Sequence, residues 1–336
     1  MNKATIYDVA ARANVSNATV SRALNNPEKV KPETRDKILK IAKELGYKAN
    51  AMARGLASSK STQVAIIVSD LARASVSEMV KGIGEVAASY GYSVILILQK
   101  GDEKINELLT NVVSLQVDGI LYLNDEITDN QYKVLKELQN NYQIPLVLVN
   151  TVYENDDDLL SVAIDYEKAG YEVTKSLVKE GRTKIALFTT QKNYPVSRLK
   201  ERGYYRAIEK YGLKPYVCHT TANLDTNRKD ILDFLDKNPD IDAVIGVRDS
   251  IAICVMNMLK NRGKNIPNDV SVFGFQNTRY TILCSPQLST INVPIHEIGA
   301  RAMKVLTTEM LGEVQDVRGR IFLEHSIIKR QTTKDE

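Results

Sequence analysis

Residues 5–24 read Thr5-Ile6-Tyr7-Asp8-Val9-Ala10-Ala11-Arg12-Ala13, then Asn14-Val15-Ser16, then Asn17-Ala18-Thr19-Val20-Ser21-Arg22-Ala23-Leu24. Ile6, Val9, Ala10 and Ala13 fall on one face at helical spacing. Thr5 with Asp8 three residues later has the form of a capping box. Ser16 is placed to cap a second short helix. The small Ala10, a sharp turn at Asn14 and inward Val15 and Val20 make a helix-turn-helix pattern, in which the turn brings two helices close together. Asn tolerates the left-handed conformation at such a turn better than any residue except Gly. The outward face of the second helix is Asn17, Ala18, Ser21 and Arg22, with Thr19 at its edge. Short polar groups and one Arg suit hydrogen bonding to base edges in a major groove, whereas an idle surface helix more often carries Glu and Lys.

Working outward, Pro32-Glu33-Thr34 opens a third helix with Ile38, Leu39, Ala42 and Leu45 as its core stripe, ended by Gly46. Asn50 can cap a short helix whose small Ala51, Ala53 and Gly55 permit close pairing with a twin. Leu56 is left at its end as a wedge for a minor groove, the alternative being an ordinary linker helix packed on its own body. Charge supports this reading. The first sixty residues carry twelve Lys/Arg against five Asp/Glu, and the other 276 carry 33 against 36. A basic arm on a near-neutral body is the footprint of a nucleic-acid binder, because Lys and Arg displace counterions from phosphate.

The chain has 336 residues, 43% hydrophobic and 26% charged, which is enough for two or three globular domains. No run of 18 apolar residues is present and no secretory signal precedes the helices, so a cytoplasmic, nucleoid-associated protein is expected. Cys218, Cys254 and Cys284 are odd in number and far apart, which argues for reduced, mostly buried thiols. After Ser58-Ser59-Lys60-Ser61-Thr62, short apolar runs alternate with helical stretches. The expected strands are 64–68, 94–98, 119–123, 146–149, 162–164, 185–188, 243–247 and 270–275, with helices such as 78–89 and 167–179 between them. Continuous apolar strands alternating with helices predict parallel α/β sheets, and some 270 residues predict two lobes around a cleft. The run Ile251–Leu259 is more apolar than one buried helix face needs, which predicts that part of it covers a partner copy. GxxxxGK[ST], GxGxxG and GxSxG are all absent, and His219, His296 and His325 lack metal spacing. Neither catalytic residues nor a metal or cofactor are expected.

The run from Thr5 through Leu24 to Asn50-Ala51-Met52-Ala53-Arg54-Gly55-Leu56-Ala57-Ser58, with Ser161-Val162-Ala163-Ile164-Asp165-Tyr166 and Asn277-Thr278-Arg279, resembles the LacI/GalR family of bacterial repressors over nearly the whole chain. Among its members the catabolite-control regulators are the most similar. The resemblance implies an all-α helix-turn-helix headpiece followed by a two-lobed, periplasmic-binding-protein-like α/β body with parallel sheets. It places the headpiece at 1–48 and a hinge and linker at 49–61. One lobe takes 62–161 with 291–322 and the other 162–290 with 323–336, so the chain crosses near 161, 290 and 322. A near-palindromic operator bound by a homodimer is then expected. Asn17, Ala18 and Arg22 would read bases; Thr5, Tyr7, Ser16, Thr19, Ser21 and Asn25 would hold phosphate. Tyr47, Asn50, Ala53 and Leu56 complete the expected DNA contacts. Three departures stand in this region: Asn14 where Gly is usual, Ala49 where Pro is usual, and Asn17 where the catabolite-control members carry Met.

The resemblance also implies two input surfaces. In the cleft, the positions are Arg73, Arg198, Lys200, Asp249 and Gln276. The stretch Asp70–Ser77 lacks the usual aromatic, Lys200 stands in place of the usual Arg, and Gln276 in place of the usual Asp. These changes point away from a sugar site and toward a protein trigger, serine-phosphorylated HPr. Its surface would be His296, Glu297, Ala300, Arg301 and Lys304, with Arg330 and Ser326 on the tail. The alternative is a sugar-specific repressor answering to a small metabolite in the cleft.

Overall fold

The computed structural model describes residues 4–25, 27–47, 61–99, 105–124, 127–153, 158–190, 194–220, 224–313 and 319–334, with side chains omitted at 25 and 224–227. The chain divides into two compact units, Met1–Thr62 with Gln116–Asp118, and Gln63–Leu115 with Gly119–Glu336.

In the first unit, α1 (Ile6–Ala13) starts at Thr5 with the capping box predicted for it: the Thr5 amide donates to Asp8 Oδ2 at 2.7 Å and the Asp8 amide to Thr5 Oγ1 at 3.4 Å. Asn14 ends it at φ 57°, the left-handed turn that its type permits. Ser16 Oγ accepts the Thr19 amide and begins α2 (Asn17–Asn25). A short 3₁₀ turn (Pro27–Lys29) leads to α3 (Pro32–Glu44), with Gly46 left-handed after it. Val9, Ala10, Ala13, Val20, Ala23, Ile38, Ile41 and Ala42 form the core. Arg12 and Glu44, 3.3 Å apart, pair across α1 and α3 at the surface. One expectation fails here. Leu39 is 44% exposed and Ile41 takes its place, because i, i+3, i+4 spacing from Ile38 selects 41 and 42, one position further round the helix.

The second unit holds two six-stranded sheets. The first has the order β11-β5-β4-β3-β1-β2: β1 (Gln63–Val68), β2 (Ser93–Leu98), β3 (Gly119–Leu123), β4 (Leu146–Val149), β5 (Leu160–Ile164) and β11 (Arg320–Leu323), all parallel. The second has the order β12-β10-β9-β8-β6-β7: β6 (Ile185–Thr190), β7 (Tyr216–Thr220), β8 (Ala243–Gly246), β9 (Ser271–Phe275), β10 (Ser289–Asn292) and β12 (Ser326–Ile328). Among the described residues only β12, paired with β10, runs antiparallel. Connecting helices are α4 (Ala74–Ser89), α5 (Ile105–Ser114), α6 (Asp129–Tyr142), α7 (Tyr166–Lys179), α8 (Pro195–Lys210), α9 (Leu224–Lys237), α10 (Asp249–Asn261), the single turn α11 (Tyr280–Leu283) and α12 (Ile295–Met310). Strands covered by helices on both faces, such as β3 and β6, are buried along their whole length, as their unbroken apolar runs predict.

Strand pairing moves the lobe boundaries. Since β5 through Ile164 pairs in the first sheet and α7 packs on α8, the first crossing lies at Asp165 rather than 161. By the same criterion the others fall after Asn292 and after Leu323, rather than at 290 and 322. In the run Ile251–Leu259, the residues Ile251, Ala252, Val255, Met256, Met258 and Leu259 are buried in their own lobe, Ile253 and Cys254 are half-buried and Asn257 is exposed. The excess apolarity serves both the sheet and the neighbouring helices. The three cysteines are free; Cys218 is buried and the other two are half-buried. Among the described residues no helix is long and apolar enough to cross a membrane, and no cluster of metal-ligating side chains occurs.

Candidate nucleic-acid interface and effector cleft

α2 is held from behind by Val20 and Ala23, both 2% exposed or less, which turns Asn17, Ala18, Ser21 and Arg22 to one side. Ala18 and Arg22 are exposed, Asn17 and Ser21 half-buried. Arg22 makes no ion pair with another described residue. Its guanidinium gives this face of α2 a positive charge, with the small Ala18 one turn before it. At the start of each helix the hydroxyls are engaged: Thr5 Oγ1 lies 2.8 Å from Asp8 Oδ2, and Ser16 Oγ 2.9 Å from Thr19 Oγ1. These bonds fix the two N-termini, whose amide ends attract anions. Tyr7 projects from α1 with 69% of its surface open, whereas Tyr47 is half-buried against the headpiece core. Asn25 is the last residue of α2. Asn50, Ala53 and Leu56 lie outside the described residues.

In the second unit a cavity of about 930 Å³ opens at the carboxyl ends of β1, β8 and β9. Of the residues singled out for the cleft, Arg73, Asp249 and Gln276 line this cavity; Arg198 and Lys200 do not. Lys200 is buried, because its place on α8 points it inward, where Nζ donates to the Val247 carbonyl at 3.0 Å and sits over the rings of Tyr166 and Phe275. It supports the cleft floor without facing it. Asp249 is also structural. Its Oδ2 accepts the Thr278 amide (2.7 Å) and hydroxyl (2.8 Å), and Oδ1 accepts the Thr290 hydroxyl (2.7 Å). Burial pushes its pKa up to about 6, against these bonds and Lys200, which pull it down.

Sequence reasoning missed Arg248, Tyr280, Ile253, Cys254 and Cys284 in the cavity wall. The aromatic absent from Asp70–Ser77 is thus replaced by Tyr280 from the opposite lobe. No local pattern could have found these residues, since they meet only when helix starts and strand ends of two sheets converge. Cysteines 254 and 284 were noted, but only as buried thiols.

The third expected surface is divided. His296, Glu297, Ala300, Arg301 and Lys304 share α12; Arg301 and Lys304 are exposed and have no ion pair with another described residue. His296 Nε2 lies 2.9 Å from Glu85 Oε2 on α4. Arg330, from the second lobe, donates to the Leu288 carbonyl (2.8 Å) and to Asn277 Oδ1 (2.7 Å), and Asn277 lines one cavity with His296 and Glu297.

A three-helix headpiece with a presented second helix, joined in sequence to a two-sheet body with a cleft, defines a class of bacterial regulators. Residues 5–50 match the model of bacterial regulatory proteins of the lacI family, and residues 61–326 match that of periplasmic binding proteins and the sugar binding domain of the LacI family. The chain belongs to the LacI family of DNA-binding transcriptional regulators. Among its relatives is catabolite control protein A of Priestia megaterium, 36% identical over 335 residues, covering 98% of this chain and 99% of that protein. Among solved structures, the Lac repressor dimer bound to operator and the anti-inducer ONPF aligns with TM-score 0.90 at 24% identity, covering 99% of both chains. The transcription regulator CcpA of Lactococcus lactis aligns with TM-score 0.72 at 26% identity, covering 81% of this chain and 99% of that one.

Proposed function

We propose that this protein is a non-catalytic catabolite-control regulator that binds a near-palindromic operator as a homodimer, with residues 1–48 as the reading head and 49–61 as the hinge. The observation that carries this reading is the presented face of α2, where Asn17, Ala18 and Arg22 stand clear of the headpiece core. Asn17 and Arg22 read base edges; the N-termini of α1 and α2, with Tyr7, hold the phosphates. Arg22→Ala is predicted to cost about 1–3 kcal/mol of discrimination on operator DNA and much less on random DNA. Anisotropy titration of both duplexes checks this, and an equal loss on the two would refute base reading.

Its trigger is serine-phosphorylated HPr, docked on the exposed face of α12. Arg301 and Lys304 lie one turn apart there, cationic and exposed, which suits a phosphoserine. Calorimetry against phosphorylated and unphosphorylated HPr tests the assignment, with binding expected only for the former. A second reading, a small metabolite in the cleft, is favoured by the size of the cavity and by Tyr280 in its wall. Saturable binding of a small molecule with no response to HPr would select it.

A further inference from the structure

We infer that Asp118 is the anchor of the DNA-binding linker: it holds the chain at Ser61 and Thr62, so that the linker starts from a fixed point in a fixed direction. The inference rests on the proposed reading of 49–61 as the hinge. The compact unit that begins with the headpiece ends at Thr62 and also takes in Gln116–Asp118, from far along the chain. Asp118 Oδ1 accepts the Ser61 amide at 2.9 Å and Oδ2 accepts the Thr62 amide at 2.8 Å, so one carboxylate holds two successive donors. Such charge-assisted bonds are stronger than neutral ones, and an oxygen for each amide fixes orientation as well as position. Both segments turn sharply here. Thr62 has φ 56° and Gln116 φ 53°, and a β-branched residue in the left-handed region is an outlier that its surroundings must hold in place. Thr62 Oγ1 also donates to the Ser61 carbonyl at 2.7 Å.

The second lobe contains the same clamp with no linker attached. Asp242, just before β8, accepts the Thr183 amide through Oδ2 and the Lys184 amide through Oδ1, both at 2.9 Å, just before β6. Asp118 stands in the same way before β3, and Ser61 and Thr62 before β1. Since β1 pairs with β3 and β6 with β8, the shared work of the two clamps is to align the starts of neighbouring strands. The bend is what differs: neither Thr183 nor Lys184 is left-handed. The clamp itself therefore does not require the turn at Thr62. Of the two clamps, the turn occurs in the one whose chain continues from the DNA-binding head. Released from Asp118, the end of the linker would take many directions. Placing two heads on adjoining half-sites would then cost more orientational freedom, once in each protomer.

Trypsin cuts after Lys60, and the amide nitrogen of that bond is the one Asp118 holds. In Asp118→Asn the side chain keeps one oxygen and sets an NH2 group against the other amide. Cleavage after Lys60 should therefore speed up at least about tenfold in the full-length, DNA-free protein, read by mass spectrometry against the rate after Arg54. On a symmetric duplex that the wild type has selected from a random pool, Asp118→Asn should bind at least about tenfold more weakly, with no loss on a random duplex. Asp242→Asn removes the same charge and opens the matching clamp, and should leave both readouts within about twofold of wild type. An unchanged cleavage rate, an unchanged affinity for the selected duplex, or an equal loss in Asp242→Asn would each overturn the anchor. If Asp118→Asn lacks native circular dichroism, hydrogen exchange of the wild type decides. Protected Ser61 and Thr62 amides are expected, and exchange at the rate of a free chain would overturn it. If the wild type selects no duplex, the operator reading fails, and the proteolysis still decides whether Asp118 holds the linker.

Discussion

Asp249 is a carboxylate that the fold makes easier to protonate, and that can be measured. Burial outweighs the three hydrogen bonds from Thr278 and Thr290 and moves its pKa from 3.8 in an exposed chain up to about 6. The native state therefore binds a proton, between those two values, that the unfolded state does not. By linkage, stability from this group is gained as pH falls through about 6 and is complete below the unfolded value; it is lost again as pH rises. Going from about pH 7.5 to about pH 5, the gain is roughly 1.4 kcal/mol. Asp249→Asn removes the titration. It also carries a pH-independent penalty, because the neutral amide oxygen accepts the Thr278 amide and hydroxyl more weakly than a carboxylate does. Urea unfolding of both proteins at the two pH values isolates the term, since other carboxylates titrate alike in each. The wild type should gain on the variant by about that amount at the lower pH. A constant difference, or one that grows with rising pH, would refute the account of Asp249 as a buried and desolvated acid.

Gly203 on α8 faces α7 so closely that an added Cβ would lie 2.1 Å from the Glu167 carbonyl oxygen, and Gly170 meets the Lys200 carbonyl in the same way at 2.4 Å. Gly203→Ala should therefore destabilise the body by about 1–3 kcal/mol despite its better helix propensity, as read by thermal unfolding. Thr5→Ala, which removes the α1 cap, should cost the headpiece about 1 kcal/mol and leave the body transition in place in calorimetry. Lys304→Ala should weaken serine-phosphorylated HPr in titration calorimetry without changing unphosphorylated HPr, and Lys304→Arg, which supplies a bidentate fork, should strengthen it.

Where the chain's own neighbours in sequence set the structure, the residues were legible. The Thr5–Asp8 cap, the Asn14 turn and the face of α2 all follow from spacing within one or two turns. So do the eight strands with unbroken apolar runs. The four strands not anticipated, β7, β10, β11 and β12, are short or mixed in polarity, and their pairing depends on distant partners. In β10, for example, Thr290 is buried because Asp249 accepts its hydroxyl. The cleft was the least legible part. Gln276 could be singled out as an unusual residue type, but its left-handed backbone and its exposure to two cavities arise from the loop after β9. Lys200 and Arg198 are expected in the cleft from the family resemblance alone, and the helix turns Lys200 inward onto the Val247 carbonyl instead. Arg248 and Tyr280 reach it only through the meeting of the two sheets.

The central claim, that the exposed face of α2 reads a symmetric operator, is tested most directly by selecting duplexes from a random pool on the full-length protein and sequencing those retained. Two-fold symmetric half-sites should be enriched, with an affinity at least about a thousandfold above random DNA at physiological salt. In the same selection Arg22→Ala should lose its preference at one base position in each half-site while keeping the symmetry and spacing. Enrichment of asymmetric sequences, no enrichment at all, or an unaltered base preference in the variant would contradict it.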